Sequence, residues 1–144
     1  MSSVGTYLNF DGTTEEAFQF YAQTFGTEIA SITRMGEMPT GPGQPPLADK
    51  ERDLVANVQL PILAGHMLMG TDILASMGHK LTVGNNVTIN LEPDTRAETD
   101  RLYNALAAGG SDTSGLNDMP WGAYWGTCLD RYGIRWMFNC YAAA

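Results

Sequence analysis

Residues 5–26, "GTYLNFDGTTEEAFQFYAQTFG", decide the fold, because residues 86–110, "NVTINLEPDTRAETDRLYNALAAGG", repeat their plan. In each, a short apolar–polar alternation breaks at a turn, and a helical periodicity then runs on to glycine. Thr13 stands three residues before Glu16, the spacing of a capping box. There the hydroxyl accepts from an orphan helix N–H and the carboxylate reaches back. Ala17, Phe20, Tyr21, Thr24 and Phe25 follow at helical spacing, and Gly26 supplies the stop. In the second stretch Thr95 and Glu98 repeat the box. Leu102, Tyr103, Ala105 and Leu106 carry the helix, and Gly109 and Gly110 end it. Thr13, Glu16 and Tyr21 thus recur as Thr95, Glu98 and Tyr103, each 82 residues further on.

Strand patterns surround both helices. Residues 4–10 and 27–35 flank the first helix. Residues 53–62 and 66–72 follow, joined by "LAG", with Pro61 at a strand end where its missing N–H does least harm. Residues 85–92 alternate, with Val87, Ile89 and Leu91 on one face and Asn86, Thr88 and Asn90 on the other; Pro93 ends the run. A short strand near Leu116 precedes a last hairpin, 123–130 and 134–140, turning on "DRYG". The expected architecture is α+β, a single domain over 1–144. Its two βαβββ modules run over about 4–73 and about 84–141. Two irregular segments remain. Residues 36–51, "GEMPTGPGQPPLADKE", hold four prolines and three glycines, and 73–84 form a second loop. Both would suit lids or partner contacts.

The chain has 144 residues and a net charge of −8 from 16 acidic and 8 basic side chains. That balance opposes a nucleic-acid or anionic-membrane surface, since both need clustered Lys and Arg. No run approaches the roughly 20 apolar residues of a membrane span, and the start "MSSVGTYLNF" has no signal-peptide pattern. A cytoplasmic location is expected. A two-residue turn at Arg131 and Tyr132 would pair Cys128 with Arg135. Cys128 and Cys140 would then be out of register for a disulfide and remain buried thiols.

The strings at 7–26, 60–72, 84–110 and 121–140, the last "WGAYWGTCLDRYGIRWMFNC", resemble the PhnB-like branch of the vicinal oxygen chelate superfamily. That superfamily includes glyoxalase I, bleomycin-resistance proteins and extradiol dioxygenases. The resemblance covers Tyr7 to Cys140. It implies two βαβββ modules, each a curled half-barrel sheet, and an intimate homodimer. Its enzymes usually hold one divalent metal on His and Glu from the first and last strands of each module. The matching positions here are Thr6 (or Tyr7 after a slip of one), Met69, Asn86 and Met137. These are poor ligands for Zn, Ni or Fe, and neither His66 nor His79 falls at a ligand position, so no metal and no other cofactor is expected. Relatives in this branch commonly carry a methyltransferase label, yet no strand here opens through a glycine-rich loop into a helix that would hold S-adenosylmethionine.

The candidate ligand-binding residues are Asn90, Arg135, Asn139, Met69, Trp125 and His66. Arg135, Met137 and Asn139 share one strand face, opposite Ile134, Trp136, Phe138 and Cys140. Arg135 could clamp an anion or sit in a salt bridge. His66 could act as general acid or base, or as a hydrogen-bonded structural residue. The aromatic "MPWGAYWG" segment could stack on a flat ligand or form a dimer interface. Ser76 and Ser114 have no base nearby in sequence, and Glu37, Asp49, Glu51 and Asp53 read as solvated loop carboxylates. Three functions fit these features. The first is a metal-free pocket for a small organic molecule. The second is a lyase, isomerase or dioxygenase with a displaced metal site. The third is an assembly partner whose pocket is filled by methionines.

Overall fold

A computed structural model describes residues 1–39 and 41–144; Thr40, inside the proline-rich segment, lies outside the described residues. The chain divides into two compact units, Met1–Thr82 and Val83–Ala144.

The first unit runs β1 (Thr6–Phe10), α1 (Thr14–Phe25), β2 (Ser31–Arg34), β3 (Val55–Pro61) and β4 (Met67–Asp72). Its sheet order is β1-β4-β3-β2, with β1 and β4 parallel and the other pairs antiparallel. The helix covers one face. Leu8, Phe10, Val58, Leu60 and Leu68 are buried with Ala17, Phe18 and Tyr21. The opposite face carries Tyr7, Met69 and Gln59 in one cross-strand row. Gly70 lets the helix approach. A Cβ there would stand 2.6 Å from Phe18 Cε1, and the Phe18 ring is fully buried. Thr13 makes no side-chain cap, contrary to the capping-box spacing. The carboxylate of Asp72, at the end of β4, takes its place. It accepts from the Thr14 N–H at 3.1 Å and the Thr14 hydroxyl at 2.6 Å, and its other oxygen accepts from the Val55 N–H at 2.9 Å.

The second unit repeats the order with β5 (Ile89–Leu91), α2 (Arg96–Ala107), β6 (Asn117–Asp118), β7 (Tyr124–Leu129) and β8 (Arg135–Cys140), arranged β5-β8-β7-β6. The two helices are each 12 residues long and are offset by the same 82 positions as the sequence repeat. Here the expected cap forms in part: Thr95 Oγ1 accepts from the Glu98 N–H at 3.1 Å, while the Glu98 carboxylate turns to Arg101. Trp136, Phe138, Leu102 and Leu106 make the core, and the Tyr103 hydroxyl bridges the Gly115 N–H and the Thr127 carbonyl.

Three expectations change. Residues 27–35 yield strand only at Ser31–Arg34. Residues 85–92 yield strand only at Ile89–Leu91, so Asn86 is outside it and Val87 is exposed. Cys128 pairs with Trp136, not Arg135. The Asp130 N–H bonds the Ile134 carbonyl, making a three-residue loop closed by Gly133 at φ 88°, one residue longer than the assumed turn. Cys128 and Cys140 are free and buried.

Gly70→Ala is expected to lower stability by about 1–3 kcal/mol in denaturant titration through overpacking against Phe18. Adding Phe18→Leu should recover part of the loss; a Gly70→Ala protein as stable as wild type would overturn the close-approach account.

Candidate functional site

The second unit brings four of the six candidate residues onto one sheet. On the face turned from α2, β5 and β8 set Asn90 beside Met137, and β7 and β8 set Trp125 beside Asn139. Asn139 Nδ2 donates to Asn90 Oδ1 at 2.8 Å, and Asn90 Nδ2 donates to Glu92 at 2.8 Å. Asn139 is only 8% exposed, yet among the described residues its carbonyl oxygen accepts no hydrogen bond. Trp125 is half-buried, and its indole N–H also lacks a partner among them. This patch therefore offers an acceptor, a donor and a ring face together.

Arg135 shares that face at the start of β8, where its Nη1 donates to Asp112 Oδ2 at 2.9 Å. Its charge is thereby matched, and its Nε is buried without a partner among the described residues. Met69 and His66 belong to the first unit. Met69 pairs with Tyr7 on the face turned from α1. His66 precedes β4, and its Nε2 lies 2.9 Å from Thr6 Oγ1, a contact that ties the strand start to β1.

Of the positions that the resemblance assigned to metal ligands, Thr6 pairs with Leu68, its alternative Tyr7 pairs with Met69, and Asn86 lies outside β5, so Met137 pairs with Asn90 instead. The side chains named there, a threonine hydroxyl or a phenol, two thioethers and an amide, do not fit Zn²⁺, Ni²⁺ or Fe²⁺. No three His, Cys, Asp or Glu side chains gather among the described residues. Cys128 offers no nucleophile: burial, reinforced by the Asp130 charge, pushes its thiol up to about 11.

The sequence reading missed one arrangement. Residues 35, 36, 38, 39, 44, 45, 47 and 52 line a cleft of about 380 Å³ with residues 74, 77 and 79 and with Ala56 of β3. Its two sides are clasped by Glu51, which is buried rather than solvated. Glu51 accepts a short bond from the Ser76 hydroxyl and a 3.3 Å bond from the Ser76 N–H. The one legible signal was three methionines, Met35, Met38 and Met77, placed in or beside the two irregular segments.

A model of the family described as 3-demethylubiquinone-9 3-methyltransferase matches residues 2–138. The chain belongs to this PhnB-like family, a branch of the vicinal oxygen chelate superfamily. It is 27% identical over 139 residues to Protein YjdN of Escherichia coli K12, covering 92% of this chain and 91% of that one. Protein PA1353 of Pseudomonas aeruginosa is 31% identical with a TM-score of 0.83, over 97% of this chain and 98% of its own. A putative 3-demethylubiquinone-9 3-methyltransferase, PhnB protein, from Bacillus cereus is 28% identical with a TM-score of 0.74, over 96% and 99%. A glyoxylase/bleomycin resistance protein/dioxygenase domain from Frankia, 11% identical with a TM-score of 0.66 over 97% and 92%, shares the fold alone. This PhnB-like chain also has no helix, among the described residues, long and apolar enough to cross a membrane.

The Ser76 donors hold the Glu51 carboxyl below its ordinary value against the opposing effect of burial. A carboxylate with a depressed folded pKa stabilises above the unfolded value, and that contribution is lost as pH falls through the folded one. Cleavage within 36–52 by an acid-active protease should therefore accelerate on acidification below the ordinary glutamate value. Glu51→Gln should cleave faster near pH 5 and show a flatter pH profile; identical profiles for the two proteins would refute the clasp.

Proposed function

We propose that this PhnB-like protein binds a flat small organic molecule on the open face of the β5–β8 sheet, without a resident metal. The carrying observation is the Asn139 side-chain carbonyl, which accepts no hydrogen bond among the described residues, beside the Trp125 ring. An N–H or O–H of the ligand would bond Asn139 Oδ1, its ring would lie on the indole, and Met137 would fill the apolar remainder. Asn90 holds the Asn139 amide in orientation. Arg135 is engaged by Asp112 and is not a free clamp. In the first unit Met69 adds apolar surface and His66 positions β1 through Thr6.

The donor set gives no basis for routing a step through a divalent ion. The methyltransferase description of the family likewise has no counterpart in a glycine-rich strand–helix turn: Asp11–Gly12–Thr13 joins β1 to α1, whose first N–H is taken by Asp72. The protein is proposed to act in the cytoplasm as a homodimer. The reduced, buried cysteines support the first point, and exposed Tyr7, Trp121 and Tyr141 support the second.

A thermal-shift screen of flat heteroaromatic compounds tests the reading. A ligand at 100 times its Kd adds about 2.7 kcal/mol, which raises Tm by roughly 5–10 °C. Asn139→Leu and Trp125→Ala should each weaken a hit about 10-fold with the fold retained. Hits indifferent to both substitutions would overturn the site. A stoichiometric divalent metal found by mass spectrometry, in protein purified without chelator, would overturn the metal-free part.

A further inference from the structure

We propose that the first unit carries a second ligand site, independent of the Asn139 face: the loop cleft takes a carboxylate with an apolar tail. Its volume, about 380 Å³, lies in the range of small-molecule pockets. Met35, Met38, Met77 and Leu47 line its apolar side. Met38 is 52% exposed, so its thioether is a large apolar surface left facing solvent. Unbranched methionines adjust to irregular apolar bodies, which suits a flexible tail better than a rigid fitted ring.

Arg52 supplies the charge recognition. Arg34, Arg96, Arg101 and Arg135 each hold a carboxylate at 2.6–2.9 Å. Arg52 forms no ion pair among the described residues. Its single side-chain bond, from Nη2 to the Gly36 carbonyl, is 3.4 Å long. The acids nearest in sequence do not answer it. Glu37 accepts from the Arg34 N–H at 2.6 Å, and Glu51 is turned to Ser76. Asp49 and Asp53 are exposed and make no ion pair with it. Among the described residues Arg52 is thus an exposed guanidinium without a carboxylate partner on the cleft wall, in a chain of net charge −8, and it can receive one negative charge. Its planar fork matches a carboxylate bidentately.

His79, also on the wall, accepts from the Leu74 N–H through Nδ1 at 3.3 Å. With Nδ1 accepting, Nε2–H is left as a second donor for the same anion. The Glu51–Ser76 clasp keeps the two sides of the cleft together, so the site is built before a ligand arrives.

Calorimetric titration of the full chain with decanoate, below its micelle concentration, tests the site, with decanol as the uncharged control. Saturable 1:1 binding of decanoate is expected, with decanol at least about 10-fold weaker. Arg52→Gln should weaken decanoate about 10-fold or more, Arg52→Lys should recover part of it, and Met77→Asn should weaken acid and alcohol alike. Asn139→Leu should leave decanoate binding unchanged. Absence of binding to the wild-type chain, unchanged affinity in Arg52→Gln, or loss of binding in Asn139→Leu would each overturn the proposal, and the last would place the acid on the β5–β8 face instead.

Discussion

The buried carboxylate of Asp72 ties together three elements that are distant in sequence. It ends β4, neutralises the first orphan N–H of α1, and fixes the Val55 N–H where β3 begins. A helix start needs acceptors for its unpaired N–H groups, and a carboxylate there also meets the positive end of the helix dipole. Once Asp72 sets the helix at the end of β4, Phe18 lies over Gly70, and the absence of a Cβ determines how closely helix and sheet pack. The face turned from α1, with Tyr7, Met69 and Gln59, follows from that placement by the two-residue period of strands.

The second unit solves the same problems locally. Thr95 caps its own helix, and Asp130 organises the last turn: Oδ1 accepts from the Tyr132 and Ile134 N–H groups, and Oδ2 accepts from Trp136 Nε1 at 2.8 Å. A tight hairpin results, and the sheet face turned from α2 carries Asn90, Asn139, Trp125 and Met137. The first unit keeps long connections instead, and these fold back to make a cleft. One plan written twice has thus produced two differently equipped surfaces.

Legibility in the sequence followed the range of the interaction. The repeat, the two helices and the element order could be read because periodicity and glycine stops are local signals. The Thr13 cap could not be distinguished from the Thr95 cap by spacing, because the competitor, Asp72, arrives from 58 residues beyond Thr14. The register at Cys128 was missed by one because Asp130 stays in the ladder and Gly133 adopts a positive φ, lengthening the loop. Glu51 looked like a solvated loop acid, and only its partner Ser76, 25 residues away, explains its burial. Alternation placed Asn90, Met137 and Asn139 on one face correctly, but it said nothing of the Asn139–Asn90 bond or of Asp112 answering Arg135.

The sequence by itself determined the βαβββ plan and its repetition, and the residue types along each strand face. These are properties of pattern and side-chain chemistry, which survive without coordinates. Only the tertiary structure decided which polar groups are already satisfied. It matched Arg34 with Glu15, Arg135 with Asp112 and Thr6 with His66, and it left the Asn139 carbonyl and the Arg52 guanidinium open. Hydrogen-bond satisfaction depends on partners brought together from far along the chain, so it becomes readable only once the chain is folded.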